Sequence, residues 1–254
     1  MATSCGRGGQ RRPSAVKPPS YGAREDSAVN SLQHEVADRL EAVHRRVEST
    51  GRRLDEVRIV AVTKGFGMDV VRASMSAGLV DLGENYSQEL VAKAAEAPPG
   101  SKWHFLGPIQ RNKLKRLAPV VSVWHAVDRP SALAGVGESS PGAEVFLQVN
   151  VMGIPGRPGC DPADLDALRA MAAREAVNLV GLMAVAPAGS PEEARRCFRW
   201  LADRAKSLGL RELSMGMSDD FEVALEEGST VLRLGRALFG ERPSPGVLHR
   251  YNRV

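Results

Sequence analysis

The stretch "RIVAVTKGFG", residues 58–67, is an apolar, strand-forming run that ends in Lys64 and passes at once into glycine. A core strand gains nothing by burying an ammonium, so Lys64 either surfaces at the strand end or stands there for chemistry. Seven further short β-branched or apolar runs follow: "LVDLGEN", "KWHFLGP", "VVSVWHAV", "EVFLQVNV", "NLVGLMAVA", "RELSMGM" and "TVLRLG". Between them lie helical patterns such as "MDVVRASMSAG", "SQELVAKAAE", "DPADLDALRAMAAREA", "SPEEARRCFRWLADRAKSLG" and "SDDFEVALEEGS". Several of these open on Asp or Ser and close on Gly, the residues that cap helix ends. Strict alternation of strand and helix argues a parallel sheet with right-handed crossovers. Eight such units, with no inserted block long enough for a second domain, predict an α/β fold: a single (β/α)8 TIM barrel. A doubly wound open sheet is the alternative.

Upstream of the quoted run, Val29, Leu32, Val36, Leu40, Val43 and Val47 recur at steps of three and four, which predicts an amphipathic helix over 27–49. Residues 1–26 read differently. They are rich in Gly, Pro and Ser, lack apolar periodicity and are expected to be a disordered basic tail. Residues 1–24 carry Arg7, Arg11, Arg12, Lys17 and Arg24 with no acidic group. That cluster accounts for the net charge of +4, so the rest of the chain is close to neutral and gives no specific nucleic-acid signal. The barrel is expected over 27–243, with a C-terminal tail at 244–254. No run is long and apolar enough to span a bilayer, and the tail lacks the apolar centre of a secretory signal, so a cytoplasmic protein is expected. Cys5, Cys160 and Cys197 are widely spaced, which points away from a disulfide framework and from a zinc site.

In a barrel of this kind chemistry sits at the C-terminal ends of the strands. Those ends carry Lys64, Glu84 and Asn85, His104 and Gly107, Asn150, Met183 and Ala184, the segment "SMGMS" at 214–218, and Arg233 with Gly235. A partly desolvated lysine loses affinity for its proton, and the free amine can condense with a carbonyl; a plain alternative is a rim lysine paired with Glu84. "SMGMSDD" offers small residues, free amides and a helix expected to begin at Asp219, which together make an anion cradle, and "RLGRALFG" adds Gly235. Arg233 points toward the mouth if Leu232 and Leu234 take the opposite face; a salt bridge to Glu222 or Asp220 is the other reading. His34 and His44 fall on the polar face of the first helix, and His125 and His249 have no partner at ligand spacing. The basic run "RNKLKR", 111–116, reads as the solvated face of a helix behind the third strand.

Taken together, "VAVTKG", "DLGENYSQEL", "WHFLGPIQRNK", "GLMAV" and "SMGMSDDFEVALEEGSTVLRLGRALFG" resemble the YggS/PROSC family of pyridoxal phosphate (PLP) homeostasis proteins, over roughly residues 28–242. The resemblance implies a PLP barrel of fold type III, like the N-terminal domain of alanine racemase but without its second β-domain. It implies that Lys64 holds pyridoxal 5'-phosphate as a Schiff base. It further implies that Ser214, Gly216, Met217, Ser218 and Gly235 hold the phosphate, that Arg233 faces the pyridine nitrogen, and that Asn85 and His104 line the ring or its hydroxyl side. The loop "VNVMGIPGRPGC" departs from the family's usual Ser-Gly-Glu and lysine, having Met152, Gly153, Ile154 and Arg157 instead.

Three functions fit these residues. The first is a non-catalytic PLP carrier that stores or delivers the cofactor, with PLP-dependent apo-enzymes as acceptors. The second is an amino-acid racemase or lyase, which needs an acid/base on the face opposite the lysine; of Tyr21, Tyr86 and Tyr251, Tyr86 is the candidate, and nothing in the sequence carries it to that face. The third is an aldolase using Lys64 without PLP. Neither catalytic residues nor metal ligands are assigned, and with no long exposed apolar stripe a monomer is expected.

Overall fold

The computed structural model describes residues 22–242. Eight parallel strands close into a barrel in chain order: β1 (Arg58–Val62), β2 (Asp81–Glu84), β3 (Lys102–Phe105), β4 (Val121–Val127), β5 (Glu144–Gln148), β6 (Asn178–Met183), β7 (Glu212–Ser214) and β8 (Val231–Leu234), which pairs back onto β1. All eight runs read from the sequence are strands, and closure of the ring excludes the open doubly wound sheet.

Alternation along the strands separates two cores. Val60, Val123, Phe146, Met183 and Val231 meet inside the barrel. Residues of the other parity, such as Ala61, Leu82, Trp103, Leu147, Leu232 and Leu234, pack outward beneath the helices. Leu232 and Leu234 are wholly buried there, each worth about 1.5–3 kcal/mol by transfer from water. Their outward orientation turns Arg233 inward.

The helices around the barrel are α1 (Gly22–Ser49), α2 (Met68–Ser76), α3 (Ser87–Glu96), α4 (Arg111–Leu117), α5 (Pro130–Ser139), α6 (Leu165–Ala172), α7 (Pro191–Ser207), α8 (Phe221–Glu226) and α9 (Arg236–Phe239). The buried stripe of α1 is Val36, Leu40, Val43 and Val47, laid against α2 and α9. The start of α7 is fixed by a reciprocal cap: Ser190 Oγ accepts from the Glu193 amide, the Glu193 carboxylate accepts from the Ser190 amide, and Pro191 occupies the first turn.

Two boundaries differ from expectation. Helix α1 begins at Gly22, ahead of the tail limit expected at residue 26; the rest of that tail and the segment 244–254 lie outside the described residues. Helix α8 begins at Phe221 instead of Asp219. The Asp220 carboxylate accepts from the Met217 amide (2.6 Å) and the Asp220 amide donates to the Met217 carbonyl (3.1 Å), so residues 217–220 close a turn before the helix can start. Among the described residues no helix is long and apolar enough to cross a membrane.

Candidate functional site

A cavity of about 470 Å³ opens at the C-terminal ends of the strands, within the range typical of small-molecule sites. Of the nine residues expected to hold a ligand, six line it: Lys64, Asn85, Met217, Ser218, Arg233 and Gly235. Phe66, Leu106, Met183 and Val185 supply an apolar wall.

Lys64 is half-buried just past β1, and among the described residues its amine makes no ion pair or hydrogen bond. The alternative pairing with Glu84 does not occur, because a second lysine claims that carboxylate. Lys93, on α3, is wholly buried and spends its three N–H donors on Glu84 Oε1 (2.6 Å), Glu89 Oε1 (2.7 Å) and the Thr63 carbonyl (2.7 Å). Thr63 Oγ1 also donates to Glu84 Oε1 (2.7 Å), and the Gly65 amide donates to Glu89 Oε1 (2.7 Å). Burial lowers the proton affinity of the Lys64 amine below that of an ordinary lysine; Arg242 and Arg233 add to this, while Glu84 and Glu89 oppose it. Lys64 therefore has the desolvated, unpaired amine that carbonyl condensation requires.

Arg233 is 5% exposed and does not bridge to Glu222, which pairs with Arg46 instead. Its Nη1 donates to Ser214 Oγ (2.7 Å) and its Nη2 to the Ala184 carbonyl (3.0 Å). Burial lowers its pKa to about 10, with Asp220 pulling the other way, so the guanidinium stays charged at neutral pH.

The cradle at the ends of β7 and β8 is built from main chain. Ser218 Oγ accepts from the Ala237 amide (3.0 Å), tying the two loops together. The Arg236 side chain pairs with Asp219 at the rim. The amides of Ser218, Asp219, Gly235 and Arg236 make no hydrogen bond among the described residues. Free donors of this kind, near a fixed guanidinium, suit an anionic group of phosphate type.

Three expected residues stand elsewhere. Gly216 sets the turn and does not face the cavity: its φ is +93°, and an added Cβ would lie 2.7 Å from Ala224 Cβ and 3.1 Å from Phe221 Cα. Gly216→Ala is expected to destabilise the fold by about 1–3 kcal/mol, read as a lower urea midpoint at unchanged slope. Ser214 lies below the cavity and holds Arg233. His104 lies deeper still, wholly buried, between Asp81 and His125. For His104 and Ser214 the cause is that strand alternation tells inside from outside but not height along the barrel axis, and β3 and β7 place both below the mouth, whereas Gly216 is turned aside by the loop after β7.

Sequence reasoning missed Lys93, whose spacing from Glu89 mimics a solvated helix pair, and His125, whose partners come from the neighbouring β3 and, across the barrel, from β7. Gln148, Asp219, Arg236 and Arg242 also line the cavity, whereas Tyr86 is 60% exposed and does not. In the divergent loop, Arg157 Nη1 donates to the Ala186 carbonyl (3.0 Å) and Asn150 closes a turn on Ile154, so these residues brace the loop. Cys160 and Cys197 are buried free thiols, pushed up by burial to about 12 and about 11.

Residues 39–243 match the family model "Alanine racemase, N-terminal domain". A pyridoxal phosphate homeostasis protein of Pseudomonas aeruginosa is 40% identical over 225 residues, covering 84% of this chain and 97% of its own. One from Deinococcus radiodurans is 40% identical over 193 residues, covering 74% and 91%. Among solved structures, PipY of Synechococcus elongatus with PLP bound superposes with a TM-score of 0.70 at 32% identity, covering 81% of this chain and 100% of that one. Similarity that runs through the whole barrel, the lysine strand and both cradle loops places this chain in the family of pyridoxal phosphate homeostasis proteins, built on the alanine racemase N-terminal domain.

Proposed function

We propose that the chain binds pyridoxal 5'-phosphate in this cavity and serves PLP homeostasis by storing and handing on the cofactor, within the barrel expected over 27–243. The observation that carries the reading is the Lys64 amine, left without a carboxylate partner because Lys93 takes both nearby glutamates, in one cavity with a buried guanidinium and unpaired amides. The bound cofactor supplies an aldehyde and a conjugated ring. Lys64 is the attachment point, through condensation with that aldehyde and loss of one water. The loop amides around Ser218 and Gly235, with Met217, hold the phosphate, while Asn85 flanks the ring. Arg233 presents a permanent positive charge to the ring nitrogen, which keeps that nitrogen unprotonated and weakens the ring as an electron sink.

The PLP-bound relative supports the ligand, and the homeostasis proteins to which the chain is similar support the role. We infer further a cytoplasmic monomer whose acceptors are PLP-dependent apo-enzymes. Titrating the purified protein with PLP is expected to develop a visible band that saturates near one equivalent; no saturable band would overturn the reading. The loaded protein is expected to leave the Cα hydrogens of free amino acids unexchanged in deuterium oxide. Rapid exchange would favour a racemase or lyase instead.

A further inference from the structure

Inside the barrel, below the cavity, an unbroken line of polar side chains runs down from Arg233, and the binding reading uses none of them beyond Arg233 itself. Arg233 Nη1 donates to Ser214 Oγ (2.7 Å), Ser214 Oγ meets His125 Nδ1 (2.9 Å), His125 Nε2 meets His104 Nδ1 (2.9 Å), and His104 Nε2 meets Asp81 Oδ1 (2.7 Å). Five strands contribute one member each: β8, β7, β4, β3 and β2. Ser214, His125 and His104 are wholly buried, whereas Asp81, at the start of β2, reaches the opposite end of the barrel with its side chain 18% exposed.

The partners fix the hydrogens. The guanidinium can only donate, so Ser214 Oγ accepts from it and turns its own hydrogen to His125 Nδ1. His125 therefore carries its proton on Nε2 and donates to His104 Nδ1. His104 in turn carries its proton on Nε2 and donates to the Asp81 carboxylate. Every donor in the line points away from the cavity, and each has one acceptor. Adding a proton to either ring breaks this order. If His104 were doubly protonated, His125 would have to donate to Ser214 Oγ, which would leave the serine hydrogen facing no acceptor in a buried site.

The surroundings favour the neutral order. Burial lowers the proton affinity of both rings, far more for His125. The charged groups facing His104 are Asp81, which opposes that lowering, and Lys102 and Arg58, which add to it; those facing His125 are Arg233 and Arg58. Phe146 stacks on the His125 ring at 4.5 Å and fixes its plane.

We infer that Asp81, His104, His125 and Ser214 are positioning residues: a proton-ordered relay that holds the Arg233 guanidinium immobile at the cavity, anchored through Asp81 at the far rim. The consequence for PLP rests on the binding reading above; the relay itself does not. A cationic side chain set in a wholly buried frame cannot swing away from an incoming ring, and the frame that holds it occupies none of the ligand's space.

The test uses full-length protein freed of ligand. Nitrogen-15 NMR of the imidazoles is expected to show both rings neutral with the proton on Nε2 at pH 6, and the Arg233 Nη hydrogens resolved through hindered rotation. His125→Phe, which keeps the stack on Phe146, and Asp81→Asn, which keeps an acceptor for His104 but removes the charge, are expected to collapse the Arg233 signals. Each is also expected to weaken PLP binding about tenfold, as loss of an outer supporting hydrogen bond does at other bound groups. Should His125→Phe fail to fold, Asp81→Asn at the partly exposed rim still decides. A proton on Nδ1 of either ring, ordinary titration of either ring near its usual value, or unchanged Arg233 signals in both variants would overturn the inference. If the wild type shows the order and the variants lose it, yet no form binds PLP, the binding reading falls and the relay stands.

Discussion

Lys64→Ala is expected to abolish the visible band formed with PLP and to leave no adduct after borohydride reduction, with the fold intact. The physical ground is that no other described lysine offers its amine to the cavity. Lys93 lies near Glu84 and Glu89, but its ammonium is wholly buried and its three hydrogens are spent. Lys64 makes no bond that truncation would break, so the thermal midpoint should hold to within what about 1 kcal/mol would shift. Lys64→Arg sharpens the measurement: it keeps the positive charge but cannot condense with an aldehyde, so residual binding through the phosphate cradle would appear as PLP retained without covalent fixation. An adduct of undiminished yield in Lys64→Ala, mapped to another lysine by peptide mass, would place the attachment elsewhere.

The barrel was legible because its signal is local and repeated. Each run such as "NLVGLMAVA" or "TVLRLG" declares a strand by itself, and eight of them separated by helical patterns leave few ways to close a sheet. Lys64 and Arg233 were legible for a related reason: a charged residue in or just past an apolar strand is a local anomaly, and the outward Leu232 and Leu234 settle which way Arg233 faces. What stayed hidden depends on height and closure. His104 and His125 are 21 residues apart in the chain yet touch across adjacent strands, and Ser214 joins them from a strand 89 residues beyond His125. Lys93 was hidden because a glutamate and a lysine four apart on a helix look alike whether water or a barrel covers that face.

Lys93→Met should show the largest loss of stability of any single change considered, about 3–5 kcal/mol near pH 8, which for a domain of this size lowers the thermal midpoint by roughly 10 °C. It removes one buried cation from two carboxylates that cannot reach water: Glu84 is wholly buried, its Oε2 already lacks a partner, and Glu89 is nearly so. The pH dependence tests the cause. Burial raises Glu84 from the usual carboxylate value to about 7 in the native protein, with Lys93 opposing and Glu89 adding. A carboxyl whose folded pKa lies above its unfolded one binds its proton more tightly when folded. Its contribution is therefore complete below the unfolded value of about 4.5 and is lost as pH rises through about 7. Without Lys93 the carboxyl is pushed higher still, so the variant should trail the wild type least near pH 5.5, where Glu84 holds its proton, and most near pH 8.5, where it must ionise in the dark of the barrel or keep the proton at a cost. A gap in urea midpoint that is the same at both values would mean that lost packing, not stranded charge, destabilises the variant.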